Sequence, residues 1–425
     1  MLLRLWPFEG GFSWSGAEAV QPPSTDAVLA VLASLVDRSV VTADTSGYPA
    51  RYRMLETIRR YCRDADPDPA ASEEAHAAWV RQLASEQSAL VLGPHPSQDL
   101  RVLIGELANI RAGITHDLEH NPGAALRTTS ALSFLWSSAA ALPEGMRLTQ
   151  AALDACPAAA VDDRVEGLLA LSVESFHAGE PADAVRLADA AMRFLSEPAG
   201  EQGTLLLKAL VYRAVGAADL GDANLVRATL DQFAVEARDR PVPDWIRADA
   251  LLCEGAMQLL SGDRDGGETT LGVARELAGQ CGFFYLQGAA DLVLARSLVR
   301  GRAPEVARAH RAGLALSRAL RIFQDQANVM DQLAVLYAGA HTLAVSGSAD
   351  AAVVLWAAVG EHAGRIGISL SRYARLSGAA AEQRMSTILA APERAAAESM
   401  GRALSWPAMV TLFTDTVGRP SPLRT

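Results

Sequence analysis

His116-Asp117-Leu118-Glu119-His120 sets two imidazoles one helical turn apart, a spacing that suits zinc. Asp117 stands where the general base of an H-E-x-x-H helix would be. Against a metal site, the run ends at Asn121-Pro122-Gly123, where a helix frays and water competes, and no third ligand is evident. A histidine near a helix C-terminus is favoured by the dipole alone. A structural role prevails, and a metal-dependent hydrolase at HDLEH is the remotest of the functions considered. Gly262 to Thr269, GDRDGGET, has the spacing of a phosphate-binding loop but puts Glu268 where the lysine belongs. A carboxylate there repels phosphate, and these glycines lie between two helices instead of between a strand and a helix. They read as a turn. Lys208, the only lysine in the chain, sits in TLLLKALVY and reads as an exposed lysine on a repeat helix. No catalytic residue, cofactor or metal is expected, and the chain reads as non-enzymatic.

Positive charge gathers at Arg51, Arg53, Arg59, Arg60 and Arg63, on a predicted hairpin and the helix after it. These arginines could lie along a phosphate backbone, contact a partner, or pair with Glu56, Asp64 and Asp66. The first 65 residues hold seven Arg against seven Asp and Glu, and the whole chain carries −11, so direct nucleic-acid binding is not favoured. Most of the seven tryptophans, Trp136, Trp245, Trp356 and Trp406 among them, lie in apolar helical surroundings and read as core; one or two could line a ligand groove. Cys62, Cys156, Cys253 and Cys281 are scattered without a C-x-x-C pair, which fits reduced thiols in a cytoplasmic protein. No run approaches membrane-spanning length, and the N-terminus lacks a signal-peptide core.

The elements that must position these residues are helical. Asp162 to Leu195 is the clearest stretch: Leu168, Leu169, Leu171, Val173 and Phe176 form one helical stripe, and Val185, Leu187, Ala188, Met192 and Leu195 another. Gly179 can take the left-handed conformation that ends a helix, and Pro181 suits the first turn of the next. Comparable turns follow at Gly221, Gly262, Gly301 and Gly347, spaced 42, 41, 39 and 46 residues apart. Asp222 and Asp263 are placed to cap the following helices, as is Asp244. A lone helical pair cannot bury both stripes, so a period near forty predicts stacked helical pairs, an α-solenoid of the tetratricopeptide kind.

The N-terminal region differs. Ala27 to Asp37 predicts an amphipathic helix, SVVTAD and ARYRML two strands around Thr45-Ser46-Gly47, and Leu55 to Arg63 a helix. The expected class is mainly α: a winged-helix-like module over 1–66, linker and junction helices over 67–160, and tetratricopeptide-like repeats over 161–367. C-terminal helices over 368–417 and a tail over 418–425 complete it. PDPAA at 67–71 reads as linker, and Leu100 to Glu119 as one helix.

LRLWPFEGGFSWSGAEAV, VLAVLASLVDRSVV and RYRMLETIRRYCRD together resemble the winged helix of bacterial signal-transducing (STAND-type) NTPase regulators. The resemblance continues through HAAWVRQLASEQSALV and GELANIRAGITHDLEH. It closes at AAVVLWAAVGEHAGRIG and ESMGRALSWPAMVTLFTDTV, similar to the segment before a LuxR-type terminal helix-turn-helix. In that family an NTPase module precedes the winged helix, which couples modules within the molecule. The resemblance implies a regulatory scaffold or sensor portion of a transcriptional regulator, here expected without the NTPase module and without the terminal reader. It would bind a protein, a peptide or a small effector on its repeats and work with a separate NTPase or DNA-binding subunit. DNA binding by the winged helix is the alternative.

Overall fold

The computed structural model describes residues 1–21, 28–46, 49–91, 96–138, 141–195, 200–300 and 305–417. The N-terminal module is winged-helix-like. Helices Trp14–Ala19 and Val28–Asp37 are followed by strands β1 (Val41–Asp44) and β2 (Arg51–Met54), then helix Glu56–Ala65. The strands pair antiparallel with Val41 opposite Met54, and a two-bond bridge between Phe12 and Tyr52 adds a third segment. Gly11 permits that bridge: it has φ +102°, and a Cβ there would lie 2.6 Å from the Tyr52 carbonyl oxygen.

The expected linker at 67–71 is not one. Asp68 accepts a bond from Ala71 N–H, and Pro69 opens a helix running to Val91. That helix buries Trp79, Val80 and Ala84 in one core with Leu5, Phe8, Phe12 and Leu32 of the winged helix and with Ile110, Ile114 and Trp136 beyond it. Burying the Trp79 face is worth more than leaving the segment extended. The single helix expected over Leu100 to Glu119 divides into Pro96–Gly105 and Leu107–His120, because the buried Glu106 between them turns to Arg51 and Asn109.

The rest is a tetratricopeptide-like helical solenoid. Successive hairpins are Val161–Ala178 with Pro181–Met192, Glu201–Leu220 with Ala223–Glu236, and Asp244–Leu260 with Arg264–Gln280. Phe284–Val299 with Val306–Asp325 and Val329–Val345 with Ala349–Arg365 follow. Gly179, Gly221, Gly262 and Gly347 lie at the turns with φ between +77° and +90°; Gly301 falls outside the described residues. Asp222 and Asp263 accept from Leu225 and Gly266 N–H. Asp244 does not cap as expected: Pro243 holds the N-cap position and Asp244 is the first helical residue, where its charge still meets the helix dipole.

Val329–Val345 is buried all round from Met330 to Ala344. It packs against its two sequence neighbours and against the C-terminal helices Ser371–Ser377, Ala379–Thr387 and Trp406–Val417. The array therefore does not end open. Its C-terminal segment folds back along it, with Ser371–Ser377 reaching Gly179 and Asp219.

Candidate functional site

Helix Ser371–Ser377 reaches back to repeats 150 residues earlier. Arg372 Nε lies 3.3 Å and Arg375 Nη2 3.0 Å from the two carboxylate oxygens of Asp219, and Arg375 also donates to the Gly179 carbonyl at 3.4 Å. The Arg372 guanidinium stacks 3.8 Å over Phe176. Gly179 is needed here twice over: its φ of +85° disfavours a side chain, and a Cβ would stand 3.2 Å from Arg372 Cβ.

Behind this closure lies a cavity of about 500 Å³, continuous in its walls with a smaller one of about 340 Å³. Phe176, Leu252, Val293, Arg296 and Arg372 line both. Aromatic rings dominate the larger chamber: Phe134, Phe176, Tyr212, Trp245, Phe283 and Tyr285. Tyr285 is their hub, with Phe134 edge-on at 5.4 Å and Phe283 stacked at 6.0 Å; Trp245 meets Phe283 edge-on at 6.1 Å. Of the tryptophans, Trp245 lines this cavity while Trp136 is fully buried core.

His177 orders one wall. Its Nδ1 is 3.0 Å from the Val173 carbonyl, so the proton belongs there, and Nε2 accepts from Tyr285 Oη at 3.2 Å. Burial holds its pKa down at about 4, leaving the ring neutral at pH 7.

The charged residues of the wall sort into pairs and remainders. Arg127 meets Asp163 at 2.9 Å and Lys208 meets Glu166 at 2.6 Å. Arg372 is held by Asp219, and Asp331 accepts from Asn328 Nδ2 at 2.9 Å. Lys208 is thus not the exposed lysine expected from its helix: its side chain is 20% exposed and lines the cavity. Burial works against its charge, but Tyr212 and Glu166 outweigh it and raise the pKa, so Lys208 stays an ammonium and no nucleophile.

Two groups are left over. Asp249 is 7% exposed and has no hydrogen bond or ion pair among the described residues; burial alone lifts its carboxyl to about 7. Arg296 has a buried Nε without a hydrogen-bond partner and no carboxylate within ion-pair distance among the described residues. Burial and the neighbouring Arg372 lower its pKa to about 10, so it remains a cation. Sequence reading passed over both. A signal existed: Asp249 interrupts the apolar stripe of Ile246, Ala250 and Cys253, and Arg296 that of Leu292, Ala295 and Val299.

The arginines of the N-terminal module are mostly committed inward. Arg51 pairs with Glu106 and donates to the Gly11 carbonyl, Arg59 donates to the Trp6 carbonyl at 2.8 Å, and Arg63 lies over the Trp6 ring. Arg53 and Arg60 are exposed. Helix Val28–Asp37 offers solvent Leu29 (59% exposed), Val31 and Asp37.

The two imidazoles of HDLEH do not converge on one site: His116 and Asp117 cluster with Glu74, and His120 is not part of the group. Donor atoms of Glu74, His116 and Asp117 all lie within 4.8 Å of one another. A guanidinium already occupies the place of a cation: Arg81 bonds Asp117 at 2.8 Å and also Glu74. His120 Nδ1 turns to the His116 carbonyl, and the two imidazoles stack. The cluster is an ion-paired seam between helices Pro69–Val91 and Leu107–His120. GDRDGGET is the turn and first turns of Arg264–Gln280, with Glu268 paired to Arg311.

Residues 1–67 match the family model of the winged helix-turn-helix domain. The chain is 28% identical over 377 residues to proteins named HTH-type transcriptional regulators from Mycobacterium tuberculosis and Mycobacterium bovis; the alignment covers 84% of this chain and 41% of theirs. The chain thus spans under half the length of these relatives. Among solved structures it is similar to a Signal Transduction ATPase with Numerous Domains carrying a tetratricopeptide repeat sensor, from Pyrococcus horikoshii. That match has 12% identity and a TM-score of 0.39, covering 98% of this chain and 64% of the other. No helix among the described residues is long and apolar enough to cross a membrane.

Proposed function

We propose that this chain is the sensor portion of a transcriptional regulator, whose helical repeats enclose a small effector and whose winged helix passes the bound state to a partner. The reading is non-enzymatic: the cavity holds a neutral His177 and a paired Lys208 but no activated nucleophile. The observation that carries it is the aromatic cavity holding Asp249 and Arg296 without partners among the described residues, bounded on one side by a helix from the far end of the chain. Its volume lies in the range of small-molecule sites. A route to the winged helix exists in the packing. Phe134 lines the cavity, and Trp136 on the same short helix, Ser133–Ser138, belongs to the core that includes Phe8, Phe12 and Leu32. The partner would be a separate NTPase or DNA-binding subunit, in the cytoplasm. To test it, the full chain is melted with and without a protein-free small-molecule extract, beside an Ala289→Phe variant that fills the cavity. Stabilisation of the wild type and not the variant is expected; equal stabilisation of both counts against the reading.

A second reading, direct DNA binding, has a specific basis in the winged helix-turn-helix match over 1–67. That match gives nucleic-acid contact a standing that net charge denied it. The exposed Leu29 and Val31 are poor groove-readers, so contacts would come from Arg38, Arg53 and Arg60. Titration of labelled duplex at rising salt decides: affinity that falls steeply with salt and disappears in the triple alanine variant favours it.

A further inference from the structure

We infer that the cavity takes an aromatic small molecule carrying both an anionic group, held by Arg296, and a protonated nitrogen, held by Asp249. This rests on the effector-cavity reading above and specifies its ligand.

The wall charges decide the class. Arg127, Lys208, Arg372 and Asp331 each have a partner within 3.3 Å, so none of them needs a ligand. Arg296 and Asp249 face the same chamber, carry opposite charge, and stand too far apart to pair with each other among the ion pairs of the structure. A buried guanidinium nitrogen and a buried carboxyl without partners each cost free energy that a matching ligand group recovers. A purely anionic ligand would satisfy Arg296 and leave Asp249 bare, and an amine alone would do the reverse. One molecule bearing both groups satisfies both and leaves the site electrically balanced. The rings of Trp245, Phe283 and Tyr285 in the same wall supply flat apolar surface for an aromatic body. Site groups left unpaired by an analogue that lacks one polar function penalise it strongly, so the two residues act as specificity determinants.

Four probes on one scaffold isolate each term: indole, indole-3-acetate, tryptamine and L-tryptophan, titrated calorimetrically into the full chain and into Ala289→Phe. Indole is expected to bind the wild type weakly and Ala289→Phe not at all. Each charged group should then tighten binding about tenfold or more, so that L-tryptophan binds best. Arg296→Gln should erase the gain from the carboxylate, and Asp249→Asn the gain from the ammonium, each measured against that variant's own affinity for indole. If indole binds only the open cavity but its charged relatives bind no better, the ligand class is overturned while the effector cavity stands. If no probe binds at millimolar concentration, the ligand class is likewise overturned, and the extract experiment alone then decides whether the cavity binds an effector. The wild-type series does not depend on any variant folding.

Discussion

The winged-helix module and the cavity wall both place arginines and carboxylates under cover, and they treat them differently. In the module, Arg51 and Glu106 satisfy each other, with Gly11 and Asn109 completing the set. In the cavity, Arg296 and Asp249 share a chamber and satisfy nothing. A charge paired inside the protein holds the fold together, and breaking it exposes the remaining partner's desolvation cost. A charge left unpaired is a standing cost to the fold that only a ligand removes. The contrast gives Arg51 a structural role and leaves Asp249 and Arg296 as the groups without partners among the described residues.

The largest expected effect tests the paired side. Arg51→Ala leaves Glu106, 1% exposed, without its counter-charge and should cost ~3–5 kcal/mol in urea unfolding at pH 7. Burial pushes the Glu106 carboxyl up against the pull of Arg51. The lone carboxyl therefore takes up a proton more readily than an ordinary glutamate, and the loss should shrink as pH falls. An unchanged midpoint at pH 7 would break the comparison outright.

The unpaired side has the opposite signature. Asp249 has its folded-state pKa raised from 3.8 to about 7, so its contribution is complete below pH 3.8 and lost as pH rises to about 7. That loss amounts to up to ~4 kcal/mol. Asp249→Asn should remove it and be more stable than the wild type at pH 7.5 by denaturant titration. A less stable variant would show that Asp249 has a partner after all.

His76 shifts the other way. Wedged against Phe8 and Trp79 at the base of the winged helix, it is held by burial at about 4. Its stabilisation is present above pH 6.5 and lost as pH falls to about 4, ~3 kcal/mol in all. His76→Phe should flatten that acid limb and leave the Asp249 limb intact; one pH scan of both variants separates the regions.

Two smaller effects sharpen the contrast. Arg296→Gln should leave ligand-free stability unchanged or raise it, because no internal bond is broken and a desolvated cation is removed. Arg53→Ala, exposed beside the internally bound Arg51, should lie within about ±0.5 kcal/mol. A cost for Arg296→Gln as large as that for Arg51→Ala would mean that the two regions handle charge alike.

Much of the fold was legible because its causes are local. The stripes around Gly179 predict the hairpin of Val161–Ala178 and Pro181–Met192, and SVVTAD and ARYRML predict β1 and β2. Errors arose where a distant partner overrode a local preference. Pro69 was read as part of a linker, yet opens a long helix that the Phe8 and Phe12 core receives. Glu106 breaks a continuous helical pattern because Arg51, 55 residues earlier, claims it. Lys208 reads as exposed because its own helix does not show Glu166, which faces it from Val161–Ala178.

By itself the sequence determined that the chain is helical, punctuated near every fortieth residue, and winged at its N-terminus. Those properties follow from spacings of two to four residues and from glycines that permit a left-handed turn. Only the tertiary structure decided that the array closes on itself and what it encloses. Closure depends on small rotations summed over successive repeats, which no single repeat encodes. It brings Arg375 to Gly179 across 196 residues and gathers Asp249, Tyr285, Arg296 and Arg372 into one wall.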